Sequence, residues 1–107
     1  MRCFRENINM TFEEIVDSET PVLVDFHAAW CGPCRAMLPV LDDVEAELGE
    51  RVRIIKIDVD EDTELAVRMK VMGVPTFMLF REGRELWRQP GVLTKESLIK
   101  IIEKAAS

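Results

Sequence analysis

Histidine is almost absent from this chain of 107 residues: His27 stands alone, beside an odd count of three cysteines, Cys3, Cys31 and Cys34. Three is the wrong number for a secreted disulfide framework, and no second Cys or His pair stands at ligand spacing to complete a zinc site with Cys31 and Cys34. No metal is therefore expected. No apolar run approaches the ~20 residues of a membrane-spanning helix, so no membrane partner is expected either. The opening Met1-Arg2-Cys3-Phe4-Arg5 lacks the apolar stretch and small-residue cleavage site of a secretory signal, which makes a cytoplasmic setting the expectation. Lys and Arg nowhere cluster, and the net charge is -6. Phosphate contacts need gathered cations, so nucleic-acid binding is not expected. Repeats, low-complexity tracts and linkers are missing too, leaving a single domain over residues 1–107.

What is present is the mixture of an ordinary globule, 48% hydrophobic and 32% charged, long enough for one core without disulfide staples. Thr11-Phe12-Glu13-Glu14 fits a capping box that opens a short helix with Phe12, Ile15 and Val16 on one face. Pro21 to Phe26 is a nearly unbroken apolar run, as for a central strand covered on both sides, interrupted by Asp25. From about Cys34, residues Met37, Leu38, Leu41, Val44 and Leu48 recur at helical spacing up to Gly49, with Pro39 expected to kink the helix. Arg53 to Val59 predicts a second central strand. Leu65, Ala66 and Met69 mark a short helix, with Asp60, Asp62 and Thr63 as candidate caps. Thr76 to Phe80 is a third strand. Arg81-Glu82-Gly83-Arg84 turns it into an antiparallel partner near Glu85 to Arg88. Thr94 caps a last helix with a buried stripe of Leu98, Ile101, Ile102 and Ala105. A weakly signalled strand around residues 2–5 would come first. The class is α/β, a sheet sandwiched between helices and closed by a hairpin.

Cys31 and Cys34, three apart on the first turn of a helix, can reach one another and form a disulfide with little backbone movement. At the helix N-terminus, unpaired amides and the helix dipole favour the Cys31 thiolate, the nucleophile of disulfide exchange. Cys34, further along and expected to be less exposed, would resolve the mixed disulfide. Gly32 lets a substrate chain approach closely, and Pro33 fits a first-turn position where no donor is lost. Half a zinc site and an inert structural pair are the alternatives. A carboxylate in a buried apolar strand is costly when ionised, so the Asp25 pKa should rise.

Trp30-Cys31-Gly32-Pro33-Cys34 following Val24-Asp25-Phe26 resembles the thioredoxin family. Further matches follow in register: Lys56 and Asp58 on a strand, Gly73-Val74-Pro75-Thr76, Phe80-Arg81-Glu82-Gly83, and Gly91 before the last helix. The resemblance implies the thioredoxin fold: a central mixed five-stranded sheet flanked by four helices, with a cis bond before Pro75, ahead of the third main strand. It implies a substrate-docking patch of Trp30, Gly32, Pro33, Val74, Pro75, Gly91 and Val92 around the thiols. It also implies that Asp25 exchanges a proton with Cys34 and that Lys56 is the partner of Asp25. The implied activity is reduction of protein disulfides, with no bound cofactor. An external flavoenzyme, a thioredoxin reductase drawing on NADPH, would restore the dithiol, and the chain would act as a monomer.

Blander readings stand beside these: Trp30 as core packing, Lys56 as a solvated strand-edge lysine, Asp25 as purely structural. His27 departs from the bulky aromatic usual in the family. It either fills part of that volume, the favoured reading, or tunes the dithiol. Ala29 replaces a residue that is often polar, with a bearing on substrate choice. Cys3 reads as a small buried hydrophobe, with regulatory oxidation or dimerisation as the alternative. A thioredoxin-fold binding subunit and an exported oxidase or isomerase are the competing functions.

Overall fold

The computed structural model describes residues 10–106. The anticipated strand at residues 2–5, and Cys3 with it, lie outside the described residues. In chain order the elements are α1 (Phe12–Val16), β1 (Val22–His27), α2 (Gly32–Leu48), β2 (Arg53–Asp58), α3 (Thr63–Arg68), β3 (Thr76–Arg81), β4 (Arg84–Pro90) and α4 (Lys95–Ala106). Four described strands form one mixed sheet in the order β2-β1-β3-β4. The β1–β2 pair is parallel and joined through α2, whereas β3 runs antiparallel to both β1 and β4.

Local chemistry sets most boundaries. The capping box closes at α1, where the Thr11 hydroxyl accepts from the Glu14 amide and the Glu14 carboxylate accepts from the Thr11 amide. Of the candidate caps of α3 it is Asp62 that serves, accepting from the Leu65 amide at 3.2 Å. Thr94 caps α4 by accepting from the Ser97 amide at 3.1 Å. Glu82 and Gly83 carry φ of 53° and 79°, the paired positive values of a two-residue hairpin turn whose twist matches its strands. α2 begins at Gly32, two residues before the apolar periodicity starts, and runs on through Pro39.

Strand alternation sorts the core into two layers. Leu23, Ile54, Phe77 and Leu79 face Met37, Leu41, Val44 and Leu48 of α2 and Leu98, Ile99 and Ile102 of α4. Val22, Val24, Phe26, Ile55, Ile57, Met78 and Phe80 face Phe12, Ile15 and Val16 of α1 and Leu65 of α3. Two sequence assignments shift. Leu38 is exposed, because it points off the stripe that Met37 and Leu41 define. On α4 the buried set is Leu98, Ile99 and Ile102, while Ile101 and Ala105 pack only at the margin of the layer.

Candidate active site

The site is built where β1 ends and α2 begins. Cys31 is the N-cap of α2, with extended backbone at φ -89° and ψ 111°, and its Sγ accepts from the Cys34 amide at 3.2 Å. A cap that receives helix amides is a place where negative charge on sulfur is favoured. Cys31 and Cys34 are joined by a disulfide, their Cα atoms 5.2 Å apart. Both cysteines are 3% exposed, so the expected difference in exposure between them is not found in this oxidised form. The bond holds both sulfurs in a small apolar cluster with Ala28, against which Val59 and Val74 pack.

Val74 belongs to the loop before β3. Its bond to Pro75 is cis, and its carbonyl oxygen lies 3.7 Å from Cys31 Sγ. Thr76 Oγ1 donates to the Gly73 carbonyl at 2.6 Å, and the Gly91 amide donates to the Pro75 carbonyl at 2.8 Å. The first closes the loop on itself, and the second ties it to the turn between β4 and α4. Gly91 takes φ 92°, a conformation that favours a residue without Cβ. The loop and turn thus bring Val74, Pro75 and Gly91 together beside the thiols, and Val92, next in the chain, is 59% exposed. Gly32 and Pro33 are exposed on the first turn of α2.

Trp30 is 70% exposed, which excludes core packing, and its Nε1 donates to the Asp60 carboxylate at 2.9 Å. By sequence Asp60 stands out only as a candidate helix cap, and nothing there pairs it with the tryptophan. Partners 30 positions apart leave no local signal. Met72, which is 95% exposed one residue before Gly73, is a further exposed apolar residue that sequence reasoning misses. An apolar residue beside the Gly-Val-Pro turn is the signal that could have found it. Ala29 offers its carbonyl to Arg35 Nη1 at 2.8 Å.

Asp25 is 1% exposed, and neither carboxylate oxygen has a hydrogen-bond partner among the described residues. Burial pushes its carboxyl up from the ordinary 3.8 to about 7, against the smaller downward pull of the Lys56 ammonium. It lies on the same face of β1 as Leu23, beneath α2, and sits in register with half-buried Lys56 on β2 and with Phe77 on β3. His27 is next on that face, half-buried at the strand end. Desolvation holds its ring below the ordinary 6.5, with Lys56 acting in the same direction and Asp58 and Glu61 against it. Among the described residues no group of three or more His, Cys, Asp or Glu side chains gathers as for a metal ion.

The family model described as Thioredoxin matches residues 4–104. The chain is 43% identical over 96 residues to the chloroplastic thioredoxin Y of Oryza sativa subsp. japonica, across 89% of this chain and 57% of that protein. It therefore spans little more than half the length of that relative. Against the thioredoxin of Rickettsia typhi it is 37% identical, across 86% of this chain and 88% of the other. Among solved structures, oxidised mitochondrial thioredoxin 3 of Saccharomyces cerevisiae superposes with a TM-score of 0.78 at 30% identity, covering 97% of this chain and 92% of that one. A mutant thioredoxin of Halobacterium salinarum gives 0.79 at 34% identity, covering 92% and 88%. A match of that extent, on a fold that joins two cysteines at a helix N-cap opposite a cis-proline loop, has one conclusion: the chain belongs to the thioredoxin family.

Proposed function

We propose that the protein is a thiol–disulfide oxidoreductase that reduces disulfides of protein substrates through the Cys31–Cys34 couple. The observation that carries this reading is the Cys31 sulfur at the N-cap of α2, accepting from the Cys34 amide and able to bond to Cys34 itself. In the reduced protein the Cys31 thiolate attacks one sulfur of the substrate disulfide. That S–S bond breaks, a mixed disulfide forms, and the first substrate thiolate leaves. Cys34 then loses its proton to Asp25, whose raised pKa suits a base near neutrality, and attacks Cys31 Sγ. The second substrate thiolate departs, and two electrons have passed from the dithiol to the substrate.

Lys56 acts on this step through the charge of Asp25. Trp30, Gly32, Pro33, Val74, Pro75, Gly91 and Val92 form the docking surface, which the exposure of Trp30 and Val92 supports. The electrons are carried by the cysteines, with no bound cofactor. An external thioredoxin reductase using NADPH regenerates the dithiol of a monomeric protein in a reducing, cytoplasmic setting. Among the described residues no helix is long and apolar enough to cross a membrane.

The test is reduction of insulin disulfides coupled to NADPH oxidation through a thioredoxin reductase, run beside Cys34→Ser. The parent should turn over, and the variant should stop at a covalent mixed disulfide through Cys31. Absence of turnover with an intact dithiol, or trapping through Cys34 in a Cys31→Ser protein, would overturn the reading.

A further inference from the structure

The loop that sets the Val74 carbonyl beside Cys31 follows α3, a helix of only six residues. Its start is irregular. Lys70 adopts φ 58°, and the Met69, Lys70 and Val71 amides fold back onto the carbonyls of Leu65, Val67 and Ala66. That leaves the carbonyls of Met69 and Lys70 directed away from the helix. Both are met by one side chain from the opposite edge of the sheet: Arg88 Nη1 lies 3.0 Å from the Met69 oxygen and 3.4 Å from that of Lys70. The rest of the guanidinium grips Glu85, with Nε and Nη2 each 2.7 Å from a carboxylate oxygen.

A paired fork of this kind fixes the plane of the guanidinium as a single lysine ammonium cannot. On a regular strand, residues three apart point to opposite faces, so Glu85 and Arg88 should not meet. They meet because β4 is bulged. Leu79 faces Trp87 and Phe80 faces Glu85, leaving Leu86 as an extra residue that restores Glu85 to the face of Arg88. Trp87 packs into the α2–α4 layer, so Arg88 takes the other face, on which α3 lies. β4 and the turn that follows it thus hold the loop at both ends, through Arg88 at residues 69 and 70 and through the Gly91 amide at the Pro75 carbonyl.

We infer that Arg88, oriented by Glu85 across the β4 bulge, is a positioning residue that fixes the 69–75 loop for substrate docking. The inference rests on the disulfide-exchange reading for its functional half. The structural half is independent of it. Among the described residues the hydrogen bonds of Arg88 go to Glu85 and to the Met69 and Lys70 carbonyls and to neither cysteine, so it acts on how protein substrates bind and not directly on the Cys31 sulfur.

Three readouts separate these effects in Arg88→Met, which keeps the apolar stem, and in Arg88→Lys. If loss of the clasp leaves the loop in its docking geometry a fifth of the time, KM for insulin rises roughly fivefold while kcat holds, because apparent affinity scales with the competent fraction. The rate with the small disulfide reagent 5,5′-dithiobis(2-nitrobenzoate) stays at the parental value. Amide hydrogen exchange quickens at Met69, Lys70 and Val71, with Arg88→Lys intermediate in KM and exchange. Unchanged KM and unchanged exchange would overturn the inference. So would a parallel fall in the small-reagent rate, which would place the effect at the thiols. A parent that reacts with the small reagent yet ignores insulin would sink the disulfide-reductase reading instead, and hydrogen exchange alone would then decide whether the clasp orders the loop.

Discussion

Asp25 is the buried residue whose ionisation burdens the fold. Its folded-state pKa, about 7, lies above the ordinary 3.8, so between those values the folded protein binds the extra proton. Its contribution to stability is therefore full below the lower value and is lost as pH rises through the upper one. A shift of this size corresponds to a penalty on the order of 4 kcal/mol once the group is ionised. Asp25→Ala should accordingly be more stable than the parent at pH 8, with the difference shrinking or reversing by pH 5, where the cavity is the larger effect. Denaturant melts at both pH values check this, and equal differences at the two would show that ionisation of Asp25 is not what burdens the fold. His27 runs the other way: a depressed pKa gives stability that is present above 6.5 and lost on acidification through its folded value. At this scale the dithiol was legible, since an N-cap and a three-residue spacing are local features. The Trp30–Asp60 hydrogen bond was not, because it joins the segments just past the ends of β1 and β2, which only the parallel pairing of those strands brings together.

Elements in this protein are held by their ends. The β3–β4 turn needs positive φ at two positions, and Glu82 meets that need with a side chain poorly suited to it. Asparagine tolerates this conformation, so Glu82→Asn should stabilise the protein by about 0.5–1 kcal/mol, read as a shift in denaturant midpoint at constant slope. A loss of stability would mean that the Glu82 side chain holds the turn through contacts of its own. Turn, capping box and helix caps were all predicted from residue type. The β4 bulge was not, because Leu86 interrupts no pattern: the strand alternates poorly and most of it is exposed.

On the scale of the molecule, one sheet separates two apolar layers, and α2 belongs to both the core and the site. Leu41 is fully buried between α2 and the sheet. Leu41→Ala should cost about 2–5 kcal/mol, a large share of the ~5–15 kcal/mol typical of a domain. The folded fraction should keep its reactivity toward a small disulfide, because the N-cap geometry of Cys31 depends on the first turn and not on the third. Chemical denaturation and a thiol-exchange rate measured below the transition check the two halves. A fall in the rate that tracks stability would mean that core packing, and not the cap, sets the sulfur.

The sequence alone determined the alternation of strands and helices, the faces of most of them, and the placing of two thiols at a helix start, since each rests on residues within a turn or two of one another. Tertiary structure decided which groups meet across the sheet. Leu38 fell off the stripe and Ile99 joined it because layer geometry, not periodicity, draws the boundary. Arg88 reached the carbonyls after α3 through strand order and a one-residue slip in register, which no local run of side chains records, whereas Val74 beside Cys31 was expected only through the family resemblance.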